Sequence, residues 1–284
     1  MNATRAEEKR QALIWLKLRT KVAWLNFSDW FTGRAVIGNC PVVVSLTTHG
    51  TRLATVHTSI QSIVAANVRP TRLILWLNGD PDSRTLTPQL ERLQRRGLEI
   101  RYAPNFGPHT KYFPYVTQFA EEGKPLVTAD DDVIYPKDWL EGLMAAHQSA
   151  PNLIHCYWAR KLTLENGQVL PYLAWENVSS QEPSTTHFAL GVSGVIYPPR
   201  FLLALRDGGD LFAVSCPRAD DVWLHAMAVR NGYRISQVKV KHVYPRLVPF
   251  TQDAALYHAN HLPGGNDAQI AATYTHGDLE LLTK

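Results

Sequence analysis

The chain has 284 residues, 45% hydrophobic and 19% charged, with a formal net charge of +4 at neutral pH. This is the balance of an ordinary globular protein, long enough for one large α/β domain; it excludes a disordered chain and makes no electrostatic case for nucleic acid. Cys40, Cys156 and Cys216 form neither a CxxC pair nor a zinc spacing, which points to a reducing compartment rather than a disulfide framework.

Residues 4–31 contain no glycine or proline and read as one helix. Its apolar residues include Leu13, Trp15, Leu16, Leu18, Val22, Trp24, Leu25 and Phe27, interrupted by Lys17, Arg19 and Lys21. Tryptophans beside basic residues suit a helix lying on an anionic membrane surface, or one packed on the domain or on a second subunit. No run of about 18 apolar residues exists to span a bilayer. Residues 1–35 are therefore expected to be a basic amphipathic helix, with residues 1–34 as a contact to the inner face of the cell membrane.

From Pro41 onward the texture changes. Val42–Leu46 reads as a buried strand, followed by a loop over Thr47–Arg52 and a helix over residues 54–67. Arg72–Leu77 is a second strand ended by Asn78-Gly79, Pro88–Arg96 a charged helix, and Leu98–Tyr102 a third strand. A fourth covers Pro125–Ala129. Strands alternating with helices predict βαβ units and a mainly parallel, doubly wound sheet, whose ligands bind beyond the carboxyl ends of the strands. Further on, Trp139–Ser149 and Asp220–Asn231 read as helices, residues 153–175 as strands around a turn at Asn166-Gly167, and Pro183–Tyr197 as a glycine-bearing loop. Arg234–Tyr244 reads as a closing strand and the tail from Leu262 as short and mixed. The expected division is residues 36–140 and 141–284, two halves of one continuous domain.

Asp130-Asp131-Asp132 stand at the end of the fourth strand. Carboxylates this close repel one another and resist ionising unless something positive joins them; a hard divalent cation, neutralised in turn by phosphates, is the usual answer. Strand alternation predicts that Asp130 and Asp132 converge while Asp131 points away. Asp220-Asp221 open a helix, where dipole complementarity and capping also account for two acids. His225, one turn after Asp221, reads either as a residue that orients it or as a packing or surface histidine. Trp158, Trp175 and Trp223 are candidates for stacking on sugar rings.

Four segments in order, Val44-Ser45-Leu46-Thr47-Thr48 with Arg52, Asn105–Lys111, Thr128–Asp132 and Ala219–Trp223, resemble the GT-A class of nucleotide-sugar glycosyltransferases, particularly those building bacterial surface polysaccharides. The resemblance covers residues 41–245. It implies a GT-A-like fold with helices on both faces of the sheet and a cytoplasmic, peripheral enzyme. Such an enzyme would move a sugar from a nucleotide-sugar donor, a UDP-sugar foremost, to a glycan or lipid-linked glycan. It further implies that Asp132, with Asp130 and His242, holds Mn²⁺ or Mg²⁺, His258 and His261 being rivals for the third ligand. Thr47, Arg52, Lys111, Asp130, Asp131 and Gly194 would border the nucleotide and sugar. Asp221, or Asp220, would be the base of an inverting reaction. The alternatives are a nucleotidyltransferase of related fold and a non-catalytic glycan-binding protein. A single glycine in Thr47–Arg52 is fewer than a triphosphate-binding loop would carry.

Overall fold

A computed structural model of the chain describes residues 13, 15–27, 32–79, 85–249, 251 and 265–283. His258 and His261 lie outside these residues. Helix α1 covers residues 15–27. Strand β1 (Cys40–Thr48) leads through a 3-10 turn to α2 (Val56–Val64), then β2 (Pro70–Asn78), α3 (Pro88–Arg95) and β3 (Glu99–Ala103). Next come α4 (Phe113–Phe119), β4 (Leu126–Thr128) and α5 (Trp139–Ser149). The second half adds β5 (Ile154–Cys156), β6 (Ala159–Lys161), β7 (Leu164–Glu165), β8 (Gln168–Val169), β9 (His187–Ala189) and β10 (Val195–Tyr197). It closes with α6 (Pro199–Asp207), α7 (Phe212–Ser215), α8 (Asp220–Arg230), β11 (Ile235–Gln237), α9 (Gly265–Thr273) and α10 (His276–Leu282).

Seven strands form one sheet in the order β11-β5-β10-β4-β1-β2-β3. β1 pairs in parallel with β2 and β4, β2 with β3, and β5 with β11, whereas β10 runs antiparallel between β4 and β5. This is the expected α/β fold with a mostly parallel sheet. Both halves of the chain contribute strands to it.

Burial on both faces explains why the central strands are nearly uniform apolar runs. Val43, Ile74, Trp76 and Leu126 enter one core, and their neighbours Val42, Val44, Leu73, Leu75 and Val127 enter the other. The second core is covered by Ile60 and Ile63 of α2, Leu90 and Leu93 of α3, and Leu140 and Leu143 of α5. The first is covered by Val116 of α4, Phe201 and Leu205 of α6, and Val222 and Val229 of α8. Each such side chain contributes about 1.5–3 kcal/mol by leaving water, so helices on both faces hold the strand ends in register.

Three expectations need correction. Residues 183–197 are not a loop: they supply β9 and the central strand β10, whose three residues are buried between β4 and β5. The closing strand is only Ile235–Gln237, and residues 238–246 run on irregularly. The tail folds as α9 and α10, the latter opened by a capping box of Thr275 and Asp278. Arg230 fixes that tail with Nε 3.0 Å and an Nη 2.8 Å from the Asp278 carboxylate. At Asn166 and Gly167, φ of 50° and 76° gives the tight β7–β8 hairpin turn.

Candidate active site

The parallel strands β1, β2, β3 and β4 all end at one edge of the sheet. A cavity of about 800 Å³ opens there, within the range of small-molecule sites. Thr47, Arg52, Asn78, Asn105, Lys111 and Asp130–Asp132 line it from the strand ends, and Gly191, Arg218, Asp220 and Asp221 face them from the second half.

Strand β4 stops at Thr128, and Asp131 and Asp132 lie in a turn, so strand alternation does not govern where the acids point. Asp131 does not point away. It accepts a hydrogen bond from Thr48 Oγ1 at 2.6 Å and from an Arg52 Nη at 2.8 Å, while its backbone oxygen accepts from Ser59 Oγ at 2.8 Å. The other Nη of Arg52 lies 3.0 Å from Asp132 Oδ2. One guanidinium therefore bridges two adjacent carboxylates. Burial pushes the Asp131 carboxyl up, against the lowering by Arg52 and Thr48.

Asp130 turns to a different cation. Its Oδ1 accepts from Lys111 Nζ at 2.6 Å, and the same ammonium lies 3.1 Å from Asp220 Oδ2. Burial works against the charge of Lys111, but Asp130, Asp220 and Asp221 outweigh it and hold the amine well above its ordinary value. The loop carrying this lysine is shaped by Gly107 and His109. Gly107 has φ of +59°, and a side chain there would meet the Pro217 carbonyl at 2.9 Å. His109 Nε2 donates to the Cys216 carbonyl at 2.8 Å, its Nδ1 accepts from Tyr112 at 2.9 Å, and its ring stacks on Phe212. Burial pushes this imidazole down to about 4, so it acts as a neutral strut tying the loop to the segment before α8.

Neither Asp220 nor Asp221 caps its helix. The N-cap residue is Ala219, with no side-chain cap hydrogen bond. Both Asp221 oxygens instead accept from the Gly191 N–H, at 3.1 and 3.2 Å. Burial, and then repulsion from Asp220, push the Asp221 carboxyl well above the carboxylate range, against the pull of Lys111. A Cβ at Gly191 would stand 2.9 Å from Asp221 Oδ1, so glycine is what lets the backbone reach this acid.

Several expected site residues sit elsewhere. Gly194 does not line the cavity. With φ of +90° it turns the chain into β10, and a side chain there would meet the Trp139 indole at 2.5 Å. Gly191 takes its place at the cavity. His242 stacks on Trp158 with ring centroids 5.2 Å apart and does not line the cavity, although Trp158 and Tyr244 do. His225 does not orient Asp221: its nitrogens engage Tyr274 at 2.6 Å and the Thr185 carbonyl at 2.9 Å. Trp175 and Trp223 belong to the core.

Other lining residues were given no role by the sequence. Asn105 opens the segment Asn105–Lys111 and Asn78 ends the second strand, and both were accessible to the strand-end rule. Arg160, Arg218 and Asn266 carry no local signal, because α9 is placed by distant contacts: the Arg218 N–H donates to Gln269 Oε1 at 2.9 Å and the Tyr172 N–H to Asp267 Oδ1 at 2.7 Å.

Among the described residues no three His, Cys, Asp or Glu side chains converge as an all-protein metal cage. The cavity nonetheless fits a cation of another kind. Magnesium is usually held by one or two carboxylates, with substrate phosphates and water completing the shell. Asp130 and Asp132 both line the cavity, each against a different cation, and the five aspartates there outnumber Arg52, Lys111, Arg160 and Arg218, the Lys and Arg side chains of the described lining.

No family model and no curated protein matches the chain. Among solved structures it is similar to S. aureus TarS 1-349, at 15% identity and a TM-score of 0.46, covering 71% of this chain and 58% of that one. The same protein in complex with UDP-GlcNAc gives 16% identity and a TM-score of 0.47, over 71% and 56%. A 4-diphosphocytidyl-2C-methyl-D-erythritol synthase from Anaerococcus prevotii gives 10% and 0.46, over 78% and 93%. The chain thus spans less than two thirds of the TarS structures it matches. Likenesses this distant leave function to be argued from the chain's own side chains.

Proposed function

We propose that the chain is a metal-dependent glycosyltransferase, moving a sugar from a nucleotide-sugar donor, UDP-linked by preference, onto a glycan or lipid-linked glycan. The observation that carries this reading is the convergence of Asp130–Asp132 and Asp220–Asp221 on one cavity of about 800 Å³ at the strand ends. In this reading Thr47, Asn78 and Asn105 face the nucleoside, and Arg52 and Lys111 present positive charge to the diphosphate. Asp130 and Asp132 hold Mn²⁺ or Mg²⁺, which when bound offsets the negative charge gathering on the departing nucleoside diphosphate.

Asp221 takes the acceptor hydroxyl's proton as that oxygen attacks the anomeric carbon, giving inversion. Burial suits it to the task. A carboxyl raised above its ordinary value is a stronger base than an ordinary aspartate, and the Gly191 N–H holds both its oxygens. Trp158 stands in the cavity wall as a surface on which a sugar ring can stack.

The enzyme works on the inner face of the cell membrane, held there by α1. Among the described residues no helix is long and apolar enough to cross a bilayer. α1 packs on the domain through Leu25, in a small cluster with Ile134 and Val248 that Leu18 and Val22 flank. Leu13, Leu16 and Trp24, on the opposite side at helical spacing, are 52%, 60% and 55% exposed.

Calorimetry with UDP, a panel of UDP-sugars and CTP, each with and without Mn²⁺, tests the reading together with release of free nucleoside diphosphate in the presence of acceptor. Binding of UDP-sugars with turnover that Asp132→Ala abolishes is the expected result. Tight binding of CTP alone, with pyrophosphate release, overturns it in favour of nucleotidyl transfer.

A further inference from the structure

A second cavity, of about 420 Å³, lies where α1 meets the domain. Lys21 of α1, Lys137 and Arg246 line it, as do Lys239 and Asp138. Lys239 has its own partner, with Nζ 3.5 Å from Asp138 Oδ2. Among the described residues no ion pair forms to Lys21, Lys137 or Arg246. Three cations from three separate segments therefore gather around one space, and among the described residues no carboxylate pairs with them. Like charges destabilise each other in a protein that gains nothing from them. The strain registers at Lys21, which is pushed down by burial and then by Arg246 and Lys137.

This cavity adjoins the larger one. Tyr244 and Pro245 line both. Tyr135 lines the smaller one, and its hydroxyl accepts from the Asp130 N–H at 2.8 Å, which ties that wall to the acidic turn of the larger cavity. α1 meets the cavity through Lys21, and its Leu16 and Trp24 are exposed.

We infer that the cavity bounded by Lys21, Lys137 and Arg246 seats the phosphate or diphosphate of a lipid-linked acceptor, its hydrocarbon lying along the outward face of α1. Three chemistries meet in the right order: an apolar helix face flanked by basic residues, a cationic cavity, and beyond a shared wall the aspartates of the transfer site. The size of the cavity suits a phosphate group with part of its first sugar, and its aromatic wall of Tyr135 and Tyr244 suits the sugar. Naming the ligand an acceptor rests on the transferase reading; the phosphate site itself does not.

The test uses the full chain and flotation with phosphatidylcholine vesicles of three kinds: plain, carrying an isoprenyl monophosphate, or carrying phosphatidylglycerol at equal charge. Tighter binding to the isoprenyl phosphate vesicles than to either control is expected. Lys137→Ala with Arg246→Ala should weaken that binding about 25-fold, at about fivefold for each cation, and bring it to the phosphatidylglycerol level. Arg246→Lys, which keeps the charge, should retain it. UDP calorimetry on the same preparations reports that the variants are folded. Equal binding to both charged vesicles, or an unchanged preference in the double variant, overturns the site. So does inorganic pyrophosphate that binds as tightly as the lipid vesicles, since the ligand is then free phosphate. A chain that keeps the vesicle preference but binds no nucleotide overturns the transferase reading and leaves this site standing.

Discussion

The Lys111 ammonium lies 3.1 Å from Asp220 and 2.6 Å from Asp130, joining a loop of the first half of the chain to the first turn of α8 in the second. Among the described residues it alone forms ion pairs with both acidic segments that the sequence singles out. Its side chain is only 9% exposed, so its charge is tolerated because the carboxylates are there, and theirs because it is.

Lys111→Met should therefore cost stability as well as donor binding. Removing one member of a buried ionic cluster strands the others, at about 3–5 kcal/mol. The expected signature is a Tm well below that of the parent, with a gap that narrows when Asp130 and Asp220 are both replaced by asparagine. An equal gap in that background would mean that lost packing, not stranded charge, explains the change.

Gly191→Ala isolates the Asp221 carboxylate. The added methyl would stand 2.9 Å from Asp221 Oδ1 and 3.6 Å from Lys111 Nζ, and alanine suits the glycine's ordinary backbone. Displacing a reacting group by about 1 Å costs up to about 100-fold in rate. The measurement is kcat against KM for the donor: a fall in kcat with KM preserved is expected, whereas an unchanged kcat would mean that Asp221 is not held through this contact.

How much of this was legible in the sequence follows from burial and from chain separation. β1, β2 and β4 announce themselves because parallel strands buried on both faces are continuous apolar runs, and the acids at their ends then mark a site. β10 does not: three residues between Gly194 and Pro198 are too few to show a period, and only pairing to β4 and β5 makes them a strand. The same holds for α9, which reaches the cavity through Asn266 by contacts to residues 172 and 218. Where Asp131 points depended on β4 ending at Thr128, a boundary one residue short of the apolar run. His225, one turn from Asp221, invited a partnership that its two hydrogen bonds to Tyr274 and Thr185 preclude.

The three adjacent aspartates should separate on mutation. Asp131 is buried, bonded to Thr48 and Arg52, so Asp131→Ala should cost about 2–4 kcal/mol by taking the acceptor from the buried Thr48 hydroxyl and one of its two carboxylates from Arg52. Asp130→Ala acts on a more exposed group and should cost less stability but weaken Mn²⁺-dependent nucleotide binding. Urea melts of the ligand-free variants, set beside UDP titrations with and without Mn²⁺, check this. If Asp130→Ala leaves the effect of Mn²⁺ on UDP affinity intact, the ion is not held at Asp130.

Asp221→Asn should trade activity against stability, with a sign fixed by the shift. The folded protein holds the Asp221 carboxyl above its ordinary value, chiefly through burial and then through Asp220. Its protonated form therefore favours folding. That contribution is complete below the ordinary carboxylate range and is lost as pH rises through the raised value. Above that raised value the ionised group costs stability, and the neutral amide removes that cost. Asp221→Asn should thus melt above the parent, by a margin that widens with pH until the carboxyl is fully ionised. Turnover should fall about 10²–10⁴-fold, as expected for loss of a general base, and the ascending limb that Asp221 gives the parent's pH–rate profile should vanish. A variant that melts higher yet keeps its rate and its pH limb would leave Asp221 a buried acid with no part in proton transfer and pass that role to Asp220.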